Sequence, residues 1–135
     1  MTIGGGCYCR AVRYEIDGEP LRRIMCYCRE CQYISGGGPN VVIAFREEGV
    51  NFLGARPAEF ARDDLEAPAR RMFCRICGTH VMTISPRFPG DILLKVGTLD
   101  DPTIFGLPDF AQFADEAQLY HATPGRVPVH ARRPG

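Results

Sequence analysis

The stretch CYCREC, residues 26–31, places three thiols, Cys26, Cys28 and Cys31, within six positions. Zinc held for structure alone is almost always four-coordinate, whereas catalytic zinc typically has three protein ligands and an exchangeable fourth position. Three clustered cysteines therefore carry the pattern of an open metal site. Two further pairs stand elsewhere: Cys7-Tyr8-Cys9 near the start and Cys74-Arg75-Ile76-Cys77 past the middle. Close spacing lets two thiolates from one turn face a single ion at little cost in chain closure. Gly78, directly after the last pair, is free to take left-handed backbone and turn the chain back around a metal. Seven thiols then divide as four plus three, one closed site and one open. A ribbon of two CxxC turns, Cys28/Cys31 with Cys74/Cys77, is the competing partition. It leaves Cys7, Cys9 and Cys26 as a second set, although Cys26 and Cys28 are too close to be divided cleanly between two ions. The preferred reading keeps Cys26, Cys28 and Cys31 as one tripod.

Composition narrows the setting. In 135 residues there is room for one compact domain with its own core. Sixteen Lys and Arg balance sixteen Asp and Glu, which argues against the broad basic footprint a nucleic-acid binder needs. No apolar run approaches the roughly 18 residues that span a bilayer. The start MTIGGGCYC has neither the basic nor the apolar character of an export signal, so the expected location is the cytoplasm, with no membrane partner. In a reducing compartment clustered cysteines read as metal ligands in preference to disulfides. A redox CxxC would sit in a helix-rich α/β pattern, which this chain lacks.

Period-two alternation is the main secondary-structure signal. Val12, Tyr14 and Ile16 alternate with Arg13, Glu15 and Asp17; His80, Met82 and Ile84 share one face of a strand and Thr79, Val81 and Thr83 the other. PNVVIAF (39–45), RRMFC (70–74) and DILLKVG (91–97) also read as strands. A short helix is expected from Arg29 to Ser35, stopped by Gly36-Gly37-Gly38-Pro39, and a polar connection over Asp63 to Pro68. Prolines 108, 124, 128 and 134 exclude one long helix in the tail, where AQFADEAQ suits a short turn. The fold class is mainly β with short helical turns.

The ordered segments GGCYCRAVRYEI, CYCRECQYISG, FCRICGTHV and VGTLDDP, with DFAQF downstream, resemble the glutathione-dependent formaldehyde-activating (Gfa) family, also called the centromere-protein-V/Gfa domain. The resemblance runs from about Gly5 to Pro128, within a single domain of residues 1–135. It implies an Mss4-like zinc-binding β fold, the β-tent, with two zinc sites. On that pattern Cys7, Cys9, Cys74 and Cys77 match the structural site, and Cys26, Cys28 and Cys31 the catalytic one. The implied reaction is reversible addition of glutathione to formaldehyde, giving S-hydroxymethylglutathione, a carbon–sulfur lyase step with a small-molecule thiol and aldehyde as partners. Three positions depart from the family pattern. Arg10 follows Cys9 where a glycine is common, Tyr27 stands where a histidine is common, and Ala111-Gln112-Phe113 replaces an HIW-like segment.

Zinc with three thiolates and an exchangeable position lowers the pKa of an incoming thiol or polarises a carbonyl oxygen, and both suit thiol–aldehyde addition. Tyr27, Arg29 and Glu30 lie inside the tripod loop and are the candidates to reach the open position. His80 reads as a packed strand histidine, and His121 and His130 as tail residues. Arg10, Arg29 and Arg75 either offset thiolate charge or hold a substrate carboxylate, or are surface charge. Gly36-Gly37-Gly38 lacks the GK[ST] of a phosphate loop and reads as a turn. Asp100-Asp101-Pro102 likewise reads as a turn. The competing function is a zinc-stabilised, non-catalytic binding module, which a fourth protein ligand on the tripod would favour.

Overall fold

The structure is a computed structural model and describes residues 2–135. Ten strands form two sheets among the described residues. The smaller pairs β1 (Thr2–Gly6), β2 (Arg13–Asp17) and β5 (Val50–Phe52), all antiparallel. In the larger, β10 (Phe110–Gln112), β3 (Arg22–Cys26), β4 (Asn40–Arg46), β9 (Asp91–Lys95), β8 (His80–Ile84), β7 (Arg70–Phe73) and β6 (Ala58–Phe60) lie side by side in that order. Only β10 runs parallel to its neighbour, β3. One helix, α1 (Arg29–Ile34), follows β3 directly. No helix of the described residues is long and apolar enough to cross a membrane. The mainly β architecture with short helical turns is as expected.

Alternation places β2 well: Tyr14 and Ile16 are fully buried while Glu15 and Asp17 face solvent. The core gathers these two with Ile43, Phe45, Met82, Ile92 and Leu94 from the large sheet. In β8, Val81, Met82 and Thr83 are all buried, so this strand is covered on both faces at its centre. Its alternation had suggested a half-buried strand; position in mid-sheet overrides that pattern. Asp63 to Pro68 is the connection between β6 and β7, which pair as a hairpin. Residues 110–112 of AQFADEAQ and its approach form β10, and only Ala114–Glu116 makes a helical turn.

Strand β1 was not legible, because TIGGG has almost no β-propensity. The structure supplies the reason for its glycines. A Cβ on Gly5 would lie 2.2 Å from Tyr14 Oη and 2.3 Å from the Thr98 carbonyl oxygen. Tyr14 Oη in turn hydrogen-bonds Thr98 Oγ1 at 2.8 Å. The small sheet thus closes on the segment after β9 only because β1 has no side chain there. Gly5→Ala is expected to destabilise the protein by about 2–3 kcal/mol through overpacking, read as a lower denaturation midpoint; an unchanged midpoint would show that β1 is free to shift away.

Candidate metal centres and cavity

All seven cysteines are free and fall into two groups. Sulfurs of Cys7, Cys9, Cys74 and Cys77 lie within 4.8 Å of one another, as do those of Cys26, Cys28 and Cys31. The preferred partition is therefore the one the fold brings together, and the two-CxxC ribbon is not. Among the described residues no histidine or carboxylate joins either group.

The four-sulfur group is built from two matching turns. The turn at Cys7 follows β1, and that at Cys74 follows β7. Cys7 and Cys9 Sγ are 3.6 Å apart, and Cys9 and Cys74 Sγ 3.7 Å. Four sulfurs about 2.3 Å from one ion have tetrahedral edges of about 3.8 Å, so the spacing fits an ion at the centre. Backbone amides of Val12 and Cys77 point at Cys7 and Cys74 Sγ, at 3.2 and 3.5 Å. Thr79, bonded to Cys77 at 3.1 Å, is the main cause pulling that thiol down to about 5. Cys7, its burial opposed by the Val12 amide, is lowered as well, whereas Cys9, sharing with Cys7, Cys77 and Cys74, is pushed up to about 11, so thiolate character, the form that binds metal, rests here on Cys7 and Cys77.

Gly78 has φ +78°, the left-handed turn expected of it. Arg10 occupies the equivalent place after Cys9 with φ +71°. The first turn therefore adopts the backbone that glycine would take at no steric cost, and a residue with a Cβ holds it under strain.

The three-sulfur group sits where β3 passes into α1. Cys26 is the last residue of β3; Cys28 caps α1 and its Sγ accepts the Cys31 amide at 3.2 Å. Cys28 and Cys31 sulfurs are 2.7 Å apart, closer than a shared ion's coordination edge, so they must part by about 1 Å to bind one. Hydrogen bonds from Cys28 and Cys31 pull the Cys26 thiol down to about 3 against its burial. The same sharing pushes Cys28 and Cys31 up, through Cys26 first. A thiolate-only donor set suits a soft or borderline metal ion.

The tripod opens on a cavity of about 720 Å³. Of the three loop candidates Glu30 lines it; Tyr27 and Arg29 do not. Glu30 pairs with Arg71, which is only 8% exposed. Tyr27 is buried, and its hydroxyl donates to the Ala122 carbonyl at 2.5 Å while its ring packs on His121. It fastens the tail to the tripod helix. His121 bonds the Gly37 carbonyl at 2.8 Å, and His130 packs edge-on against Phe110. His80 lies against Phe73, outside the cavity, and burial lowers its pKa, assisted by Lys95 and Arg71. Arg29 stacks on Tyr33 and donates to Gln32. Arg10 and Arg75 are exposed and line no part of this cavity.

Several residues at this site had no sequence signal of their own. Gln112 stands in register beside Cys26, and Phe113 packs on the tripod sulfurs, so two residues of the departure Ala111-Gln112-Phe113 line the cavity. Gln32, almost fully buried, donates to the carbonyls of Tyr27 and Glu116, both at 2.9 Å. Lys95 is also buried and donates to Asn40, the strand partner of Cys26. Burial pushes its ammonium down to about 8, and the three tripod thiols pull it back up. A lysine inside the apolar run DILLKVG was the one visible hint.

A family model for the glutathione-dependent formaldehyde-activating enzyme matches residues 2–121. The chain belongs to that family. It is 29% identical over 96 residues to a Halomonas elongata protein named "Putative glutathione-dependent formaldehyde-activating enzyme", an alignment covering 66% of this chain and 60% of that protein. The chain thus spans about 60% of the length of that curated relative. The crystal structure of a Rhodobacter sphaeroides protein shares the fold with a TM-score of 0.61 at 20% identity, covering 77% of this chain and 95% of the other.

The strained turn gives a direct check. Arg10→Gly is expected to stabilise the protein by about 0.5–1 kcal/mol, the left-handed penalty less the extra entropy of an unfolded glycine. Equilibrium denaturation of metal-loaded protein measures it, and a loss of stability would mean that the Arg10 side chain contributes more than its backbone costs.

Proposed function

We propose that this chain is a zinc-dependent carbon–sulfur lyase of the Gfa type, acting on adducts of a small thiol and an aldehyde such as S-hydroxymethylglutathione. The observation that carries the reading is the three-sulfur group opening on a cavity with no fourth protein ligand among the described residues, beside a separate four-sulfur group. A non-catalytic binding module would be expected to close both sites. The reading takes residues 1–135 as one domain, with its core at about 5–128, acting in the cytoplasm.

On this proposal Cys7, Cys9, Cys74 and Cys77 hold a structural zinc, and Cys26, Cys28 and Cys31 the catalytic one. Bound there, zinc would supply a Lewis acid that stabilises thiolate sulfur or polarises a carbonyl oxygen. Three thiolates and a divalent ion would sum to a single negative charge, which the buried Lys95 ammonium offsets. In the breakdown direction the C–S bond of the hydroxymethyl adduct breaks, its electron pair leaves with sulfur, and the hydroxyl proton passes to a base as the carbonyl forms. Glu30 is the carboxylate placed to take that proton on Oε2, since Oε1 is held by Arg71. In the synthetic direction the same carboxyl returns the proton to the aldehyde oxygen. Gln32 and Tyr27 position the helix that carries two of the three sulfurs.

Elemental analysis of freshly purified protein should give two zinc ions per chain. Cys31→Ser should keep its fold with one, while Cys74→Ser should aggregate, because a closed structural site contributes folding free energy directly. Two variants equally folded and equally loaded would overturn the assignment.

Glu30→Gln should lower kcat for breakdown of S-hydroxymethylglutathione by about 10²- to 10⁴-fold with both zinc ions retained. An unchanged kcat would remove Glu30 from proton transfer.

A further inference from the structure

Phe113 holds an uncommon backbone conformation beside the tripod. Its φ is +57°, in the left-handed region that a bulky side chain rarely takes. It is nonetheless only 9% exposed, and its ring packs on Cys26, Cys28 and Cys31. Phe113 comes directly after β10 and starts the turn Ala114–Glu116, whose Glu116 amide donates back to the Phe113 carbonyl at 3.0 Å. Strained backbone persists only where its surroundings over-determine it, and such positions gather at functional sites.

The tail supplies that constraint. The Ala111 amide donates to the Pro128 carbonyl and the His130 amide to the Ala111 carbonyl, both at 2.9 Å. The Phe113 amide donates to the Arg132 carbonyl, also at 2.9 Å, and the amides of Ala114 and Asp115 donate to the carbonyls of His130 and Ala131 at 3.1 and 3.2 Å. The guanidinium groups of Arg132 and Arg133 stand 4.9 and 5.3 Å from the centre of the Phe113 ring. Arg132 is itself anchored by Asp115 and Glu116, at 3.0 and 3.3 Å. Glu116 also accepts the Arg29 amide at 2.7 Å, which ties the same turn to the start of the tripod helix. Arg133 and Pro134 line the cavity together with Phe113. None of residues 126–135 is buried. A segment held by backbone hydrogen bonds and exposed arginines, with little apolar burial, is of the kind that opens locally without global unfolding.

We propose that residues 128–134 form a strap that holds Phe113 over the three-sulfur group and so sets how fast an ion bound there exchanges with solvent. Phe113 covers the sulfurs, and Arg132 and Arg133 are positioning residues that act through its ring. When the strap opens, the left-handed turn loses its partner at Arg132 and the cover lifts; when it closes, the ring returns to the sulfurs. The four-sulfur group has no contact with this segment and is outside its control. The strap rests on the assignment of an ion to the tripod and requires no particular substrate.

The test is the rate of zinc release from the zinc-loaded full chain to a pyridylazoresorcinol chelator. The kinetic phase missing in Cys31→Ser belongs to the tripod, and the remaining one to the four-sulfur group. Arg133→Ala should speed the tripod phase about 2- to 5-fold, the range of an exposed cation–π contact. Phe113→Gly, which keeps the left-handed backbone and removes the ring, should speed it about 10- to 100-fold, the range of a buried aromatic side chain. Phe113→Leu should restore most of the difference. Adding Arg133→Ala to Phe113→Gly should give little further change, because the arginine acts through the ring. The four-sulfur phase should be the same in every variant, a selectivity that general destabilisation does not produce. The strap is overturned if the tripod phase of Phe113→Gly matches wild type, if both phases quicken together, or if Arg133→Ala has its full effect without the ring. Wild type that releases a single zinc ion would remove the tripod assignment and the strap with it; two zinc ions with unchanged rates in the variants would remove the strap alone and leave the lyase reading standing.

Discussion

The convergence of four sulfurs from two turns is the constraint on which the rest of the structure depends. Cys9 and Cys74 are 65 positions apart in the chain, yet their sulfurs are 3.7 Å apart. Cys7 and Cys9 leave the last residue of β1 in the small sheet, and Cys74 and Cys77 leave β7 in the large one. The group is therefore a clasp between sheets that otherwise meet through the apolar core and the close approach at Gly5. Both turns use left-handed backbone immediately after or beside their second cysteine, at Arg10 and at Gly78. The first turn carries the cost of a Cβ there, a sign that sulfur geometry outranks local backbone preference.

The three-sulfur group follows a different logic. It lies within six residues, so chain closure costs little, and its placement depends on what surrounds it. Gln32, Tyr27 and the tail segment around Ala122 form one hydrogen-bonded layer on the outer side of α1. Tyr27, which departs from the family's usual histidine, is turned away from the cavity and into this layer. Tyr27 holds the tail here through its hydroxyl and leaves the sulfur set untouched. On the inner side, buried Lys95 and Arg71 place positive charge near the tripod, where hydrogen bonds from Cys28 and Cys31 hold the Cys26 thiol low. A lysine is expensive to bury without compensation, and here the compensation is the thiol cluster together with Asn40.

Sequence by itself determined the local features. Period-two patterns located β2 and β8, runs rich in Val, Ile and Phe located β4, β7 and β9, and the glycine run located the stop of α1, because these signals are carried by neighbouring residues. The cysteine spacing favoured Cys26, Cys28 and Cys31 as one group but left a two-CxxC ribbon open, and it is the fold that brings Cys7 and Cys9 to Cys74 and Cys77. Tertiary structure alone decided the rest. Glycine-rich β1 is a strand because Tyr14 and Thr98 need its missing side chain, and β8 is covered on both faces because of its place in mid-sheet. Asn40, Gln112, Thr83 and Arg22 come to the cavity, and Lys95 to Asn40, through strand register, which joins residues tens of positions apart and leaves no trace in a local pattern. Close cysteine pairs are a matter of spacing along the chain; which pairs meet, and the charge and shape around them, are a matter of which strands lie side by side.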